Sequence, residues 1–464
     1  MLKEEDPQQA EWEFVTIESL VPGDHLLRKI DRFIDFSFIR ECVSHLYCAD
    51  NGRPALAPTL LFKALFIGYL FGIRSERALM REIEVNVAYR WFLGLGLTDK
   101  VPDASTISQN RRRRFGGTGV HQEIFDEIVL QALKAGLVDG HVIYTDSTLL
   151  KASANRERFD HGLVEKERAA YWGALDRAID EDRAAHGQKP LERLPREPEI
   201  RKVRVSRTDP DAGYLAREDK PRGFYYLDHR SVDGRHAIIT DTHVTPATVH
   251  DSIPYLVRLD RQRERFGFDV HAVGLDAGYA TTPIAKGLED RDILGVTAYV
   301  APSTRKGFFR KRDFEYDREQ DAYRCPNGKM LSYARTDKDG YRYYKTRTGD
   351  CADCPLRTKC ISAKAKIKAV TRHVWADARE QTESHRLTPW GKKIYKRRKE
   401  TVERSFADAK QLHGHRYARM RGIDKMREQC LMAAACQNMK KIALVMASAS
   451  SYLCPSPRAG PLTA

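Results

Sequence analysis

Between residues 55 and 135, apolar positions recur three and four residues apart, the period of an α-helix. In the most apolar run, 55–72, Pro58 stands where a first-turn proline is tolerated, and Leu61, Leu65 and Tyr69 follow on one face. Pro58 and Lys63 break that run, which predicts a buried helix and not a membrane span. Ser75 predicts the cap of a second helix through Leu79, Ile83, Val87 and Trp91, ended by Gly94 and Gly96. Asp103 or Ser105 predicts the cap of a third, shorter helix carrying Arg111, Arg112, Arg113 and Arg114. Four consecutive arginines on a compact helical module suit contact with DNA, although a bundle with a solvated basic edge has the same pattern.

The period then changes. Residues 141–145 are a short β-branched run ending at Asp146, and strand-like runs return at 224–228 and 236–241, with Val232-Asp233-Gly234 as turn chemistry. A helical stretch follows Pro254 to about residue 265, and a buried strand over 270–275 ends at Asp276. A helix over 283–290 and a strand over 293–300 complete the series. This order predicts a mixed α/β core, compatible with a ribonuclease H-like sheet, assembled from 136–155, 223–300 and 391–447. An all-α N-terminal domain over 1–135 precedes it. Two insertions interrupt it: 156–222, dense in charge and read as partly helical or flexible, and 301–390, aromatic, basic and cysteine-bearing. Residues 448–464 are small and Pro-rich, a pattern of disorder.

The 464 residues carry 79 Lys plus Arg against 64 Asp plus Glu, a net charge of +15. Such an excess suits a polyanionic partner, because each neutralised phosphate releases condensed counterions; a merely basic soluble protein has the same total. The first fourteen residues lack the basic flank and apolar stretch of a secretory signal, so a cytoplasmic, nucleoid-associated protein with no membrane role is expected. Nine cysteines, four of them clustered, fit a reducing compartment better than a disulfide framework.

Asp146 and Asp276 each follow a β-branched run, and neighbouring strands would bring both carboxylates to one sheet edge. Glu403 lies on a helical stretch. Three carboxylates around one point suit a hard cation such as Mg²⁺, and an Asp after a strand is also an ordinary turn former.

The segments YTDSTLLKASAN (144–155), GLDAGYAT (274–281) and TVERSFADAKQLHGHRYARMRG (401–422) resemble the three acidic motifs of bacterial insertion-sequence transposases of the DDE type. Residues 52–114 are similar to the helical InsH-type N-terminal domain of one branch, which also shares SRTDPDAGY (206–214) and a Cys-bearing insertion. The resemblance spans about residues 20 to 445. It implies metal-dependent strand cleavage and transesterification at the ends of a mobile element, with Asp146, Asp276 and Glu403 holding Mg²⁺, for which Mn²⁺ substitutes. It also implies a homodimer on double-stranded DNA. Lys410, two helical turns after Glu403, would touch DNA near the cleavage site. The family places a Tyr and an Arg at set offsets before the Glu; here Tyr395 and Arg398 lie one residue further away, with Lys396 and Lys399 in the expected places. Glu400 is a weaker rival to Glu403, since no Lys stands seven residues after it. Two alternatives share these motifs: a catalytically silent DNA-binding descendant, and a metal-dependent nuclease without strand transfer.

Residues 391–427 hold thirteen Lys or Arg against four acids, which suits phosphate contacts around Glu403, with Arg398 and Arg404 among them. Cys325, Cys351, Cys354 and Cys360 suit a structural Zn²⁺, and reduced, unligated thiols are the alternative. Asp251, after His250, is expected as a helix N-cap, and Asp209 and Asp211 as turn residues.

Overall fold

The helical period of the first third is realised as a bundle. The computed structural model describes residues 14–48, 55–165, 171–192, 200–216, 222–299 and 306–453. Three short helices, α1 (Ile17–Leu20), α2 (Leu26–Phe33) and α3 (Phe38–Val43), precede α4 (Pro58–Leu70), whose first residue is the anticipated proline. The single helix expected from Ser75 to Gly94 is two, α5 (Glu76–Val85) and α6 (Val87–Leu93). Asn86 divides them: its backbone is extended, and its side chain accepts from Tyr89 N to start α6. Asp103 caps α7 (Ala104–Gln109), and the arginine run follows as one wide π turn, Asn110–Phe115. α8 (Val120–Lys134) closes the bundle.

Strand β1 (Val142–Lys151) is twice as long as the sequence pattern suggests, because polar Thr145 to Thr148 continue an antiparallel ladder with β5. A hairpin, β2 (Phe159–Glu165) with β3 (Ile200–Ser206), flanks α9 (Trp172–Ala185) in the first insertion, before the short β4 (Gly213–Leu215). β5 (Gly223–Asp233) and β6 (Ile239–Pro246) form the next hairpin. Then come α10 (Ser252–Phe266), β7 (Ala272–Leu275), α11 (Thr282–Glu289) and β8 (Leu294–Thr297). β7 pairs parallel to β1, and β8 parallel to β7, so the sheet runs β6–β5–β1–β7–β8, with β4 beside the start of β5. Ile143, Tyr144, Val273, Leu275 and Val296 are buried at its centre, each worth roughly 1.5–3 kcal/mol in removed apolar surface. Gly274 makes that packing feasible, since a Cβ there would stand 2.7 Å from the Tyr144 ring.

The second insertion is a five-stranded antiparallel sheet: β9 (Glu315–Asp317), β10 (Ala322–Arg324), β11 (Met330–Thr336), β12 (Tyr341–Lys345) and β13 (Ala369–His373), with α12 (Arg357–Cys360) beside it. It meets the first insertion through Asp182 of α9, a buried carboxylate that accepts from Arg342 Nε at 2.7 Å and Thr336 Oγ1 at 2.5 Å. α13 (Ala376–His385), α14 (Pro389–Arg397) and α15 (Val402–Leu412) return the chain to the core sheet. The last helix, α16 (Ile423–Leu453), runs past the point where disorder was expected, and residues 454–464 lie outside the described ones. α16 packs on α2, α4, α8 and β6, so the bundle and the sheet share one continuous apolar core. Among the described residues, no helix is long and apolar enough to cross a membrane.

Candidate functional site

β1 and β7 bring the first two acids together. Their parallel register ends at Thr145 opposite Leu275, so Asp146 and Asp276 are the next residues on adjacent strands. Asp146 does not end its strand, as the pattern suggested; it lies in mid-strand, where β7 stops covering it, because β1 continues against β5. Asp276 turns out of β7 and accepts from Gly278 N at 2.6 Å.

Glu403 is presented by the first turn of α15, half exposed beside the same edge. Arg398 joins it to Asp146: one guanidinium nitrogen lies 2.7 Å from Asp146 Oδ2 and the other 3.8 Å from Glu403 Oε1. Burial pushes the Asp146 carboxyl up to about 6, against the pull of Arg398, and Asp276 and Asp251 push the same way as burial. The backbone between Arg398 and Glu403 is irregular. Thr401 adopts φ −105°, ψ −95°, and Glu403 N reaches back five residues to Arg398 O at 3.1 Å. Arg398, with Tyr395 beneath it, therefore faces the acids, whereas Lys399 and Glu400 point to solvent.

Lys410 lies on α15, and its Nζ donates to Thr148 Oγ1 at 2.5 Å, two residues along β1 from Asp146. A 280 Å³ pocket lined by Ser147, Thr148, Leu227, Asp251 and Lys410 opens beside the acids. Asp251 differs from its expected role. Its side chain makes no capping bond; His250 Nδ1 instead receives Ser252 N at 3.3 Å. The Asp251 carboxylate accepts from Ser147 Oγ at 2.8 Å.

The scaffold under Glu403 is polar and buried, and nothing in the periodicity announced it. Arg230 and Asp228, both fully buried on β5, pair at 2.9 Å. Arg230 donates to Ser405 Oγ on α15 at 3.1 Å, and Asp228 contacts His415 and Thr242. Asp209 and Asp211 do more than turn the chain: they accept from Gly422 N at 3.0 Å and Ile423 N at 2.9 Å, holding the start of α16.

On the outer face of α14 and α15, Lys392, Lys393, Lys396, Arg397, Lys399 and Arg404 are exposed around Glu403. The arginine run is divided. Arg112 and Arg113 are exposed, Arg111 pairs with Glu76 at 3.1 Å, and Arg114 stacks on Tyr47. Cys325 and Cys360 line the small apolar core of the second sheet, Cys351 is buried nearby, and Asn327 donates toward Cys354 Sγ at 3.5 Å.

Among the described residues, the triples of His, Cys, Asp or Glu whose ligand atoms all lie within 4.8 Å of one another are His141–Asp269–His271 and Asp228–His415–Cys430. The first is at the surface and the second is buried and includes Asp228, the partner of Arg230; neither includes the acids beside Arg398 or the four clustered cysteines. The donors at the acid edge are nevertheless carboxylates, the oxygen ligands that a hard divalent cation takes, with Arg398 competing for Asp146 and Glu403. The bare backbone of Gly278 also leaves a small cradle, where a Cβ would stand 3.1 Å from Asp276 Oδ1 and 3.2 Å from Asp251 Oδ2.

Residues 15–113 match a family model described as a transposase domain, and residues 324–443 match a transposase DDE domain. The second match contains Glu403, Arg398, Lys410 and the four clustered cysteines; Asp146 and Asp276 lie outside both. Among solved structures, a piggyBac transposase synaptic complex with hairpin DNA is similar over 93% of this chain and 82% of its own, at 9% identity and TM-score 0.33. A Mos1 transposase paired-end complex with the left transposon end is similar over 54% of this chain and 61% of its own, at 12% identity and TM-score 0.17. A Mos1 mariner paired-end complex with Mn gives 54%, 62%, 12% and 0.17 in the same order. No curated protein matches the chain.

Proposed function

The chain is a DNA transposase of the DDE class, and on that premise we propose that Asp146, Asp276 and Glu403 are its catalytic acids. The observation that carries the assignment is the pairing of β1 with β7, which sets Asp146 beside Asp276 while Arg398 ties Asp146 to Glu403. The strand order β6–β5–β1–β7–β8, three antiparallel strands followed by two parallel ones, supports a ribonuclease H-like core.

The three carboxylates would hold Mg²⁺, or Mn²⁺ in its place. Bound there, such ions supply activation of the attacking water or 3′-hydroxyl and stabilisation of the departing oxygen. The protein's own residues do the positioning. The β1–β7 register fixes the two aspartates on a rigid sheet, the buried Arg230–Ser405 contact holds the Glu403 helix, and Lys410 faces the edge where a phosphate would lie. Exposed Lys392, Lys393, Lys396, Arg397, Lys399 and Arg404 offer a cationic track for the backbone of double-stranded DNA, with Arg112 and Arg113 as further contacts. A homodimer that synapses two element ends, acting on DNA in the cytoplasm, completes the assignment. In the second insertion, Cys325, Cys351, Cys354 and Cys360 would hold a structural Zn²⁺ away from the chemistry.

Incubation with Mg²⁺ and end-labelled element-end duplex tests this assignment. The wild type gives joined products, while Asp146→Asn, Asp276→Asn and Glu403→Gln bind the duplex and lose cleavage by about a thousandfold or more, the scale of several kcal/mol of transition-state stabilisation. Wild-type cleavage by any of the three removes that residue from the catalytic set.

A further inference from the structure

We propose that Asp251 supplies a fourth carboxylate to the divalent-cation centre, an inference that rests on the assignment of Asp146, Asp276 and Glu403 as its acids. Asp251 stands just before α10, where an aspartate ordinarily receives the first free N–H groups of the helix. That function is taken by the preceding residue: His250 Nδ1 receives Ser252 N and lies 2.8 Å from Ser252 Oγ. The Asp251 carboxylate is left to turn toward the core sheet.

There it is held in a specific pose. Ser147, next to Asp146 on β1, donates its hydroxyl to Oδ1 at 2.8 Å. The other oxygen, Oδ2, borders the cradle over Gly278, and Asp276 Oδ1 borders it too. A side chain at position 278 would fill this space; glycine keeps it open between two carboxylates.

Two buried polar atoms beside this space have no hydrogen-bond partner among the described residues. His229 is 5% exposed, and its Nδ1, 3.9 Å from Asp251 Oδ1, has no hydrogen-bond partner. Tyr279 is 1% exposed, directly follows Gly278, and its hydroxyl is likewise without a partner. Buried polar atoms are ordinarily satisfied, and a hydrated cation brings water into such a space. Charge points the same way. Asp146, Asp251, Asp276 and Glu403 face Arg398 and Lys410 among the described residues, an excess of carboxylates that divalent cations offset.

Mn²⁺ titration of the full-length, DNA-free protein, followed by the electron paramagnetic resonance signal of free Mn²⁺, reads this directly. Asp251→Asn is expected to raise the Mn²⁺ Kd by about tenfold to a hundredfold, and Ser147→Ala, which only releases the carboxylate, by a smaller factor. Asp276→Asn is measured alongside. If Asp276→Asn weakens binding while Asp251→Asn binds as the wild type does, the fourth-carboxylate role is overturned and the three-acid assignment stands. If Asp276→Asn also binds as the wild type does, the assignment of the centre itself falls. Should Asp251→Asn fail to fold, as judged by circular dichroism, Ser147→Ala decides: unchanged Mn²⁺ affinity in that variant overturns the proposal.

Discussion

Arg398 reaches Asp146 at 2.7 Å although 252 residues separate them. The contact ties the helix pair α14–α15 to the first strand of the core sheet. It also places a guanidinium between Asp146 and Glu403, where two carboxylates would otherwise repel. Replacing Arg398 with Ala leaves Asp146 without its cation. The Asp146 carboxyl should then rise above its present value of about 6, and cleavage at pH 7 should fall, with partial recovery at higher pH. A pH–rate profile shifted to the alkaline side checks this; a uniformly lowered profile of unchanged shape would assign Arg398 a role apart from Asp146.

Cation binding should itself depend on pH. Asp146 is held up by burial first, with Asp276 and Asp251 adding to it and Arg398 opposing. A cation must displace the bound proton, so Mn²⁺ affinity is expected to be flat above about pH 6 and to weaken by about tenfold per unit below it. The sign for stability without metal is the reverse of the usual carboxylate case. The raised pKa stabilises the fold below the unfolded value of 3.8, and that contribution is lost as pH rises through about 6. Isothermal titration across pH 5 to 8 measures the first effect and thermal unfolding without metal the second.

The Arg230–Asp228 pair should be expensive to break. Both side chains are fully buried, and Arg230 also reaches Ser405 on the Glu403 helix. Arg230→Met strands the Asp228 carboxylate, which is expected to cost about 3–5 kcal/mol. The double variant Asp228→Asn/Arg230→Met should recover much of that loss in denaturant unfolding.

In the second insertion, zinc content should follow the cysteines. Purified protein is expected to retain one Zn²⁺ per chain through dialysis, and Cys354→Ser to lose it. Folded protein without zinc would leave these residues as reduced thiols.

Much of the scaffold could be read from the chain because it rests on local rules. Pro58 at the start of α4, Ser75 and Asp103 as caps, and Asp276 directly after an apolar strand need no knowledge of distant residues. What escaped depends on partners far away. Asp146 looks like a strand end because the residues after it are polar, yet β5 continues to pair with them. Asn86 interrupts a helical period that is unbroken in apolar residues. Asp251 follows the ordinary rule for a cap, and only the fold shows that His250 has taken that position. The buried Asp228, Arg230 and His415 set had no signal at all, since charged residues on a strand read as solvated until a second layer covers them.

The most direct test of a shared cation centre is to change the softness of one ligand and follow the metal preference of cleavage. Asp276→Cys exchanges an oxygen donor for sulfur, which Mg²⁺ disfavours and Mn²⁺ tolerates better. Cleavage of labelled element-end duplex by this variant is predicted to vanish in Mg²⁺ and to return in part in Mn²⁺, with DNA affinity unchanged. Wild-type cleavage by Asp276→Cys in Mg²⁺ would contradict the account.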